Sequence, residues 1–169
     1  MKLDEAPLLK VQIKNEQDVV QARQRTRQIC ANLGFPAQDQ TRMATAISEL
    51  ARNVFQYAGQ GLVEFAFSIN RIPQRLWVTV RDQGPGIANL AEIQSGQYVS
   101  TTGMGLGLMG AKKLTDAFEI ESTPGQGTRV RVGKDLPKHA KRLQALHLGD
   151  LAEVLSQQRI ETPIEEVER

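Results

Sequence analysis

The sequence predicts an α+β fold with helices on one face of a mainly antiparallel sheet, and three observations carry that prediction. Its strand-like runs are joined by turn-forming segments, Asn70-Arg-Ile-Pro73 and Pro124-Gly-Gln-Gly127, that suit hairpins. Helical patterns come first as a consecutive pair and then once more between the two hairpins. They do not alternate one-for-one with strands as a parallel sheet requires. A length of 169 residues holds one well-buried domain and not two ordinary ones.

The elements follow in order. Residues 9–13, Leu-Lys-Val-Gln-Ile, alternate apolar and polar side chains and read as a first strand. Asn15 with Asp18 makes a helix start, and that helix is predicted to end at Leu33 with Gly34 as its C-terminal cap. A second helix is predicted over residues 39–57, where Met43, Ile47, Leu50 and Val54 form one apolar stripe, and Gly59 and Gly61 stop it. Residues 61–69 and 76–82 read as strands. Residues 88–102 lose regular periodicity and read as a mobile surface loop. A helix over 105–115 is followed by strands at 118–122 and 128–133. The domain is therefore expected to occupy residues 1–137. Residues 138–169 form a C-terminal extension, helical or partly disordered. Two short amphipathic helices are expected there, at 138–148 and 151–157, separated by Gly149-Asp150 and lying outside the core.

Composition removes several function classes. No apolar run approaches the roughly 20 residues of a bilayer span, and the opening Met1-Lys2-Leu3-Asp4-Glu5 precedes no signal-type apolar segment. The lone Cys30 forms no internal disulfide, so a reducing cytoplasm is the expected setting. With 21 bases against 19 acids, five Phe, two Tyr and one Trp, neither the field nor the aromatic platforms of a nucleic-acid binder are present. Both histidines, His139 and His147, lie in the tail, which excludes a Ser-His-Asp hydrolase or a multi-His metal site in the main domain. Chemistry falls to carboxylates, a metal or backbone amides.

Three short segments supply such groups. In Glu49-Leu-Ala-Arg-Asn53, the acid and the amide are four residues apart, with Tyr57 four further on, so they share one edge of the second helix. An exposed helix flank would show the same pattern. Asp82-Gln-Gly-Pro-Gly-Ile87 ends an apolar strand with a carboxylate able to accept from an exocyclic amine, beside glycines that let backbone approach a planar base. An ordinary strand-ending turn has the same residues. Thr102-Gly-Met-Gly-Leu-Gly-Leu108 offers flexible amides leading into a helix start, a cradle for phosphate. No strand immediately precedes it and no Gly-Lys-Ser/Thr follows, so it is neither a dinucleotide fingerprint nor a P-loop.

In order and spacing the three segments resemble the N, G1 and G2 boxes of the GHKL (Bergerat) ATP-binding fold, a two-layer α/β sandwich. The likeness continues through Gly125-Gln-Gly-Thr128 and covers about residues 8–135. Within that fold the chain is similar to the small serine/threonine kinases of bacterial stress and sporulation signalling. Thr45-Ala-Ile-Ser-Glu-Leu-Ala-Arg-Asn53, Tyr57-Ala-Gly59 and Gly110-Ala-Lys-Lys-Leu114 are most like the switch kinases among them.

The resemblance implies ATP and Mg²⁺. Asn53 would be the metal ligand and Glu49 the catalytic base or orienter for a protein hydroxyl. Asp82 would read the adenine amine with Thr128 assisting, and Gly84, Gly86 and Ile87 would line the base pocket. Thr102, Gly103, Met104, Gly105, Leu106, Gly107 and Leu108 would surround the phosphates beneath a lid at 88–102. The implied partners are a STAS-domain antagonist as substrate and a PP2C-type phosphatase. The alternative is an anti-sigma kinase that sequesters a sigma factor, and a homodimer is compatible with either. Anti-sigma kinases generally carry a lid arginine; residues 88–102 contain no Lys or Arg, a lack the switch kinases share. Lys112 and Lys113 are candidates for the missing charge, or plain solvent-facing lysines.

Overall fold

The computed structural model describes residues 5–87, 90 and 104–157. Strand β1 (Glu5–Ile13) leads into helices α1 (Glu16–Leu33) and α2 (Ala37–Ala58), and then into the hairpin of β2 (Gly61–Ser68) and β3 (Arg75–Asp82). Helix α3 (Met104–Lys113), strands β4 (Ala117–Ser122) and β5 (Thr128–Asp135), and helix α4 (Ala145–Gln157) complete the described chain. The five strands lie in the order β1-β2-β3-β5-β4 with every pairing antiparallel. This is the predicted α+β architecture. The expected lid falls outside the described residues, Leu90 excepted.

Local chemistry sets the helix ends. Asn15 caps α1 by accepting from the Asp18 amide at 3.0 Å, while the Asp18 carboxylate accepts from the Lys14 amide at 2.8 Å, a reciprocal cap. Gly34 closes α1 and Gly59 closes α2, as the sequence suggests. On α2 the stripe Met43, Ile47, Leu50, Val54 is buried. It packs on Val63, Phe65 and Phe67 of β2 and their cross-strand partners Val80, Val78 and Leu76 of β3, of which Val80 and Val78 pair in turn with Val130 and Val132 of β5. One parity of the sheet therefore carries the core, and Asp82 and Thr128 continue that parity at the sheet's end. Cys30 is enclosed in the same core, where burial pushes its thiol up to about 12, so it is an inert thiol.

Two boundaries differ from the sequence reading for identifiable reasons. β1 begins at Glu5 rather than near residue 9, because the register shifts between Pro7 and Leu9 and breaks the two-residue period that alternation detects. Among the described residues the tail holds a single helix, not two, and Gly149-Asp150 lies inside it. An interior glycine costs about 1 kcal/mol in a helix. Burying Leu148, Leu151 and Leu155 at helical spacing outweighs that.

Those three leucines join the main core cluster, which corrects the expectation that the tail lies outside it. Of the other apolar tail positions, Leu143 is half-buried, while Leu146 and Val154 face solvent. α4 lies against β1, and the Arg25 guanidinium of α1 donates to the Leu155 carbonyl at 2.9 Å, a cation at a helix C-terminus. Ahead of α4, the buried Gln74 side chain grips the tail backbone in both directions: Nε2 donates to the Leu143 carbonyl at 2.7 Å and Oε1 accepts from the Leu143 amide at 2.8 Å. Leu155→Ala is expected to lower unfolding free energy by about 2 kcal/mol, measured by urea denaturation. An unchanged midpoint would mean α4 is an appendage after all.

Candidate active site

Helix α2 presents the first groups. Glu49, Asn53 and Tyr57 line up along its edge, next to the buried stripe, and all three are partly exposed. Asn53 and Tyr57 border a cleft together with Leu50, Val54, Ala58, Val80, Asp82, Pro85, Gly86, Ile87, Leu108, Thr128 and Val130. The cleft joins pieces from α2, β3, the segment after β3, α3 and β5. The cleft opens to solvent.

The Asn53 Nδ2 atom is buried and has no hydrogen-bond partner among the described residues. Buried donors are normally satisfied, and leaving one unpaired costs roughly 1–3 kcal/mol. Such an unpaired donor is available to a ligand. A free N–H suits a phosphate oxygen, and Oδ1 of the same amide suits a hard cation. Gly107 sets the opposite wall. A Cβ there would lie 3.3 Å from Asn53 Nδ2, 3.4 Å from Asn53 Oδ1 and 3.6 Å from Glu49 Oε2. The start of α3 is thus pressed against both side chains at once, and glycine keeps that gap open. Helix N-termini favour anions. The helix end, the Asn53 amide and the Glu49 carboxylate thus lie together at this point.

The base end is built by strand register. Asp82 closes β3 and pairs directly with Thr128 of β5, so two residues far apart in sequence stand side by side. The Gly84 amide donates to Asp82 Oδ1 at 2.9 Å. Burial raises the Asp82 pKa above its usual range, opposed by the backbone N–H groups of Gly84 and Thr128. Sign matters here. A carboxyl raised in the folded state favours its protonated form, so its ionisation at neutral pH works against folding. Asp82→Asn is therefore expected to leave the ligand-free domain as stable or more stable at pH 7. The same variant should lose most of its affinity for a base that donates an amine hydrogen bond. Thermal melts with and without ATP check both halves.

A staple between the segment after β3 and the β4–β5 turn escaped the sequence reading. The Ile87 amide donates to Ser122 Oγ at 2.8 Å, and Ser122 Oγ lies 2.9 Å from Thr128 Oγ1 and 3.2 Å from the Gly127 carbonyl. The Gly125 amide donates to the Pro85 carbonyl at 2.6 Å. Ser122 thus fixes the pocket floor from behind. A lone strand-end serine carries no sequence signal for that role, although Gly125-Gln-Gly127 did mark the turn.

The described residues bring Glu49, Asn53, Asp82, Gly84, Gly86, Ile87, Gly107, Leu108 and Thr128 to one cleft and its rim. Met104, Gly105 and Leu106 form the start of α3, and Thr102 and Gly103 lie outside the described residues. Lys112 and Lys113 are exposed at the far end of α3. A cation does sit at the site: Arg52 Nη1 donates to Glu49 Oε1 at 3.1 Å. Among the described residues no cluster of three or more His, Cys, Asp or Glu could hold a metal, and no helix is long and apolar enough to cross a membrane.

Comparison of the sequence with known proteins shows its family. Residues 38–138 match the model of the histidine kinase-, DNA gyrase B- and HSP90-like ATPases. The serine/threonine-protein kinase RsbT of Bacillus subtilis is 40% identical over 124 residues, spanning 73% of this chain and 93% of that protein. An anti-sigma F factor of Bacillus licheniformis is 29% identical over 113 residues, spanning 61% of this chain and 75% of that protein. The histidine kinase domain of the Erythrobacter litoralis EL346 blue-light activated kinase overlays with a TM-score of 0.47 at 17% identity, over 85% of this chain and 65% of that one. The chain thus belongs to the histidine kinase-, DNA gyrase B- and HSP90-like ATPase family and, within it, to the family of the serine/threonine-protein kinase RsbT.

Proposed function

We propose that this protein is an ATP-dependent serine/threonine kinase of the cytoplasm that phosphorylates a STAS-domain antagonist and regulates a PP2C-type phosphatase by partner switching. Its kinase domain is residues 1–137, and residues 138–169 are an extension of it. The observation that carries the reading is the convergence of Glu49 and the orphan Asn53 amide on Gly107, at the start of α3. In RsbT's family, that is where a phosphoryl group and an acceptor hydroxyl would meet.

Phosphoryl transfer is mostly positioning and charge neutralisation. Bound Mg²⁺ would neutralise the phosphate oxygens, held on the protein side by Asn53 Oδ1. Asn53 Nδ2 donates to a phosphate oxygen, and the start of α3 presents backbone amides to the others. Asp82, ionised, accepts from the adenine amine and sets the nucleotide's register, with Thr128 beside it. Glu49 orients the acceptor hydroxyl and takes its proton. Phosphorylation adds about −1.5 to −2 charge to the antagonist's surface, which changes the complex it prefers.

The test is direct. The protein is incubated with Mg-ATP and the STAS-domain proteins of its own organism, and the phosphosite is located by mass spectrometry. Labelling of one serine or threonine on one STAS protein is expected; labelling of none overturns the reading. The likeness to an anti-sigma F factor supports a second reading, sequestration of a sigma factor. Co-elution with sigma rather than with a PP2C-type phosphatase on a sizing column would favour it.

A further inference from the structure

The two oxygens of Glu49 have different neighbours. Oε2 faces the start of α3, 3.6 Å from where a Cβ on Gly107 would stand. Oε1 accepts from Arg52 Nη1 at 3.1 Å, from one turn further along the same helix. The Arg52 side chain is 48% exposed and that of Glu49 39%. A screened i,i+3 pair of this kind adds little to stability. A large effect of removing Arg52 on the reaction would therefore not be a stability effect.

Other cations near the cleft are engaged or distant. Lys112 and Lys113 lie five and six residues beyond Gly107 on α3, about 8 Å along the helix axis, and are exposed. Arg81 stands at the base end, where it pairs with Glu64 at 2.7 Å. Residues 88–102 contribute no Lys or Arg. At the phosphate end, the cation that the described residues bring to the acid is Arg52.

We propose that Arg52 is a positioning residue for phosphoryl transfer, acting through Glu49; this rests on the kinase reading above. Its guanidinium holds Oε1 and so leaves Oε2 directed at the incoming hydroxyl. It also offsets the repulsion between a carboxylate and the phosphates that must approach it. In the step it assists, the hydroxyl oxygen bonds to the γ-phosphorus and its proton passes to Glu49 Oε2. The bond from phosphorus to the bridging oxygen breaks, and ADP leaves with that electron pair. Arg52 gives and takes no proton.

The experiment compares the full-length wild-type protein with Arg52→Met, Arg52→Lys, Glu49→Gln and the double variant Glu49→Gln/Arg52→Met. Rates are read as transfer to the STAS protein and, independently of any partner, as slow ADP release from Mg-ATP with water as acceptor. Arg52→Met is expected to lower kcat by about 10- to 100-fold, the scale of a misplaced reacting group. The KM for ATP should stay within about twofold, since nucleotide contacts are untouched, and the melting temperature should hardly move. Arg52→Lys should recover part of the rate, because an ammonium supplies the charge without the guanidinium fork. On the Glu49→Gln background, Arg52→Met should add nothing.

A wild-type rate for Arg52→Met overturns the proposal. So does a raised KM with unchanged kcat, which would mean that Arg52 contacts the nucleotide. An undiminished further loss on the Glu49→Gln background also overturns it, by placing Arg52 on the phosphate directly. Glu49→Gln at the wild-type rate would instead defeat the assignment of Glu49 itself. The two failures are therefore distinct.

Discussion

Asn53→Ala is expected to slow phosphoryl transfer by about 10²–10³ while leaving the ligand-free domain at least as stable as the wild type. The two halves have one cause. Asn53 Nδ2 is buried without a partner among the described residues, so deleting the amide removes a desolvated donor that folding had to accommodate. The same deletion leaves a bound phosphate without a donor and the cation without its protein ligand. Loss of one preorganised group of this kind costs about 10²–10³ in rate. Glu49→Gln, which keeps shape but cannot take a proton, should cost about 10²–10⁴. Because Glu49 and Asn53 converge on one point beside Gly107, their losses should fall well short of multiplying. Denaturation curves beside transfer rates for the two single variants and the double variant decide it. A destabilised Asn53→Ala domain, or full activity in either single variant, contradicts the assignment.

Much of this was legible in the sequence, and the reason is local. Helix ends at Gly34 and Gly59, the stripe on α2, and the hairpins are properties of a few adjacent residues. Glu49, Asn53 and Tyr57 could be placed on one edge by counting residues per turn. What stayed hidden depends on register and packing. Neither the pairing of Asp82 with Thr128 nor the bridging role of Ser122 has a local signature, because each is created when β5 inserts between β3 and β4. The single helix α4 was split at Gly149-Asp150 because propensity speaks against that dipeptide, whereas the core contacts of Leu148, Leu151 and Leu155 decide the matter. Arg52 stood in plain view inside the first motif. Only its distance to Glu49 gave it a role.

Substituting Gly127 is expected to cost much stability, although it touches no ligand on the proposed reading. It sits just before β5 with φ of +91°, a backbone conformation that side chains disfavour. A Cβ there would overlap the Asp82 carbonyl oxygen and stand 2.9 Å from Gln83 Cα. Both obstacles are backbone, so neither can rotate away. Relief requires parting β3 from β5 at the pair that holds Asp82 against Thr128. Strain and overpacking together make Gly127→Ala destabilising by roughly 3–4 kcal/mol, or about 10 °C in melting temperature for a chain of this size. ATP affinity should fall with it, since the Asp82 carboxylate, the Thr128 hydroxyl and the Ser122 staple all hang on that junction. Gly125, two residues earlier, supplies the control. Its φ is +81° but a Cβ there meets nothing within 4 Å, so Gly125→Ala should cost only about 1 kcal/mol and keep nucleotide binding. Equal melting temperatures for the two variants would mean that backbone strain alone, and not the clash with Asp82, governs this turn.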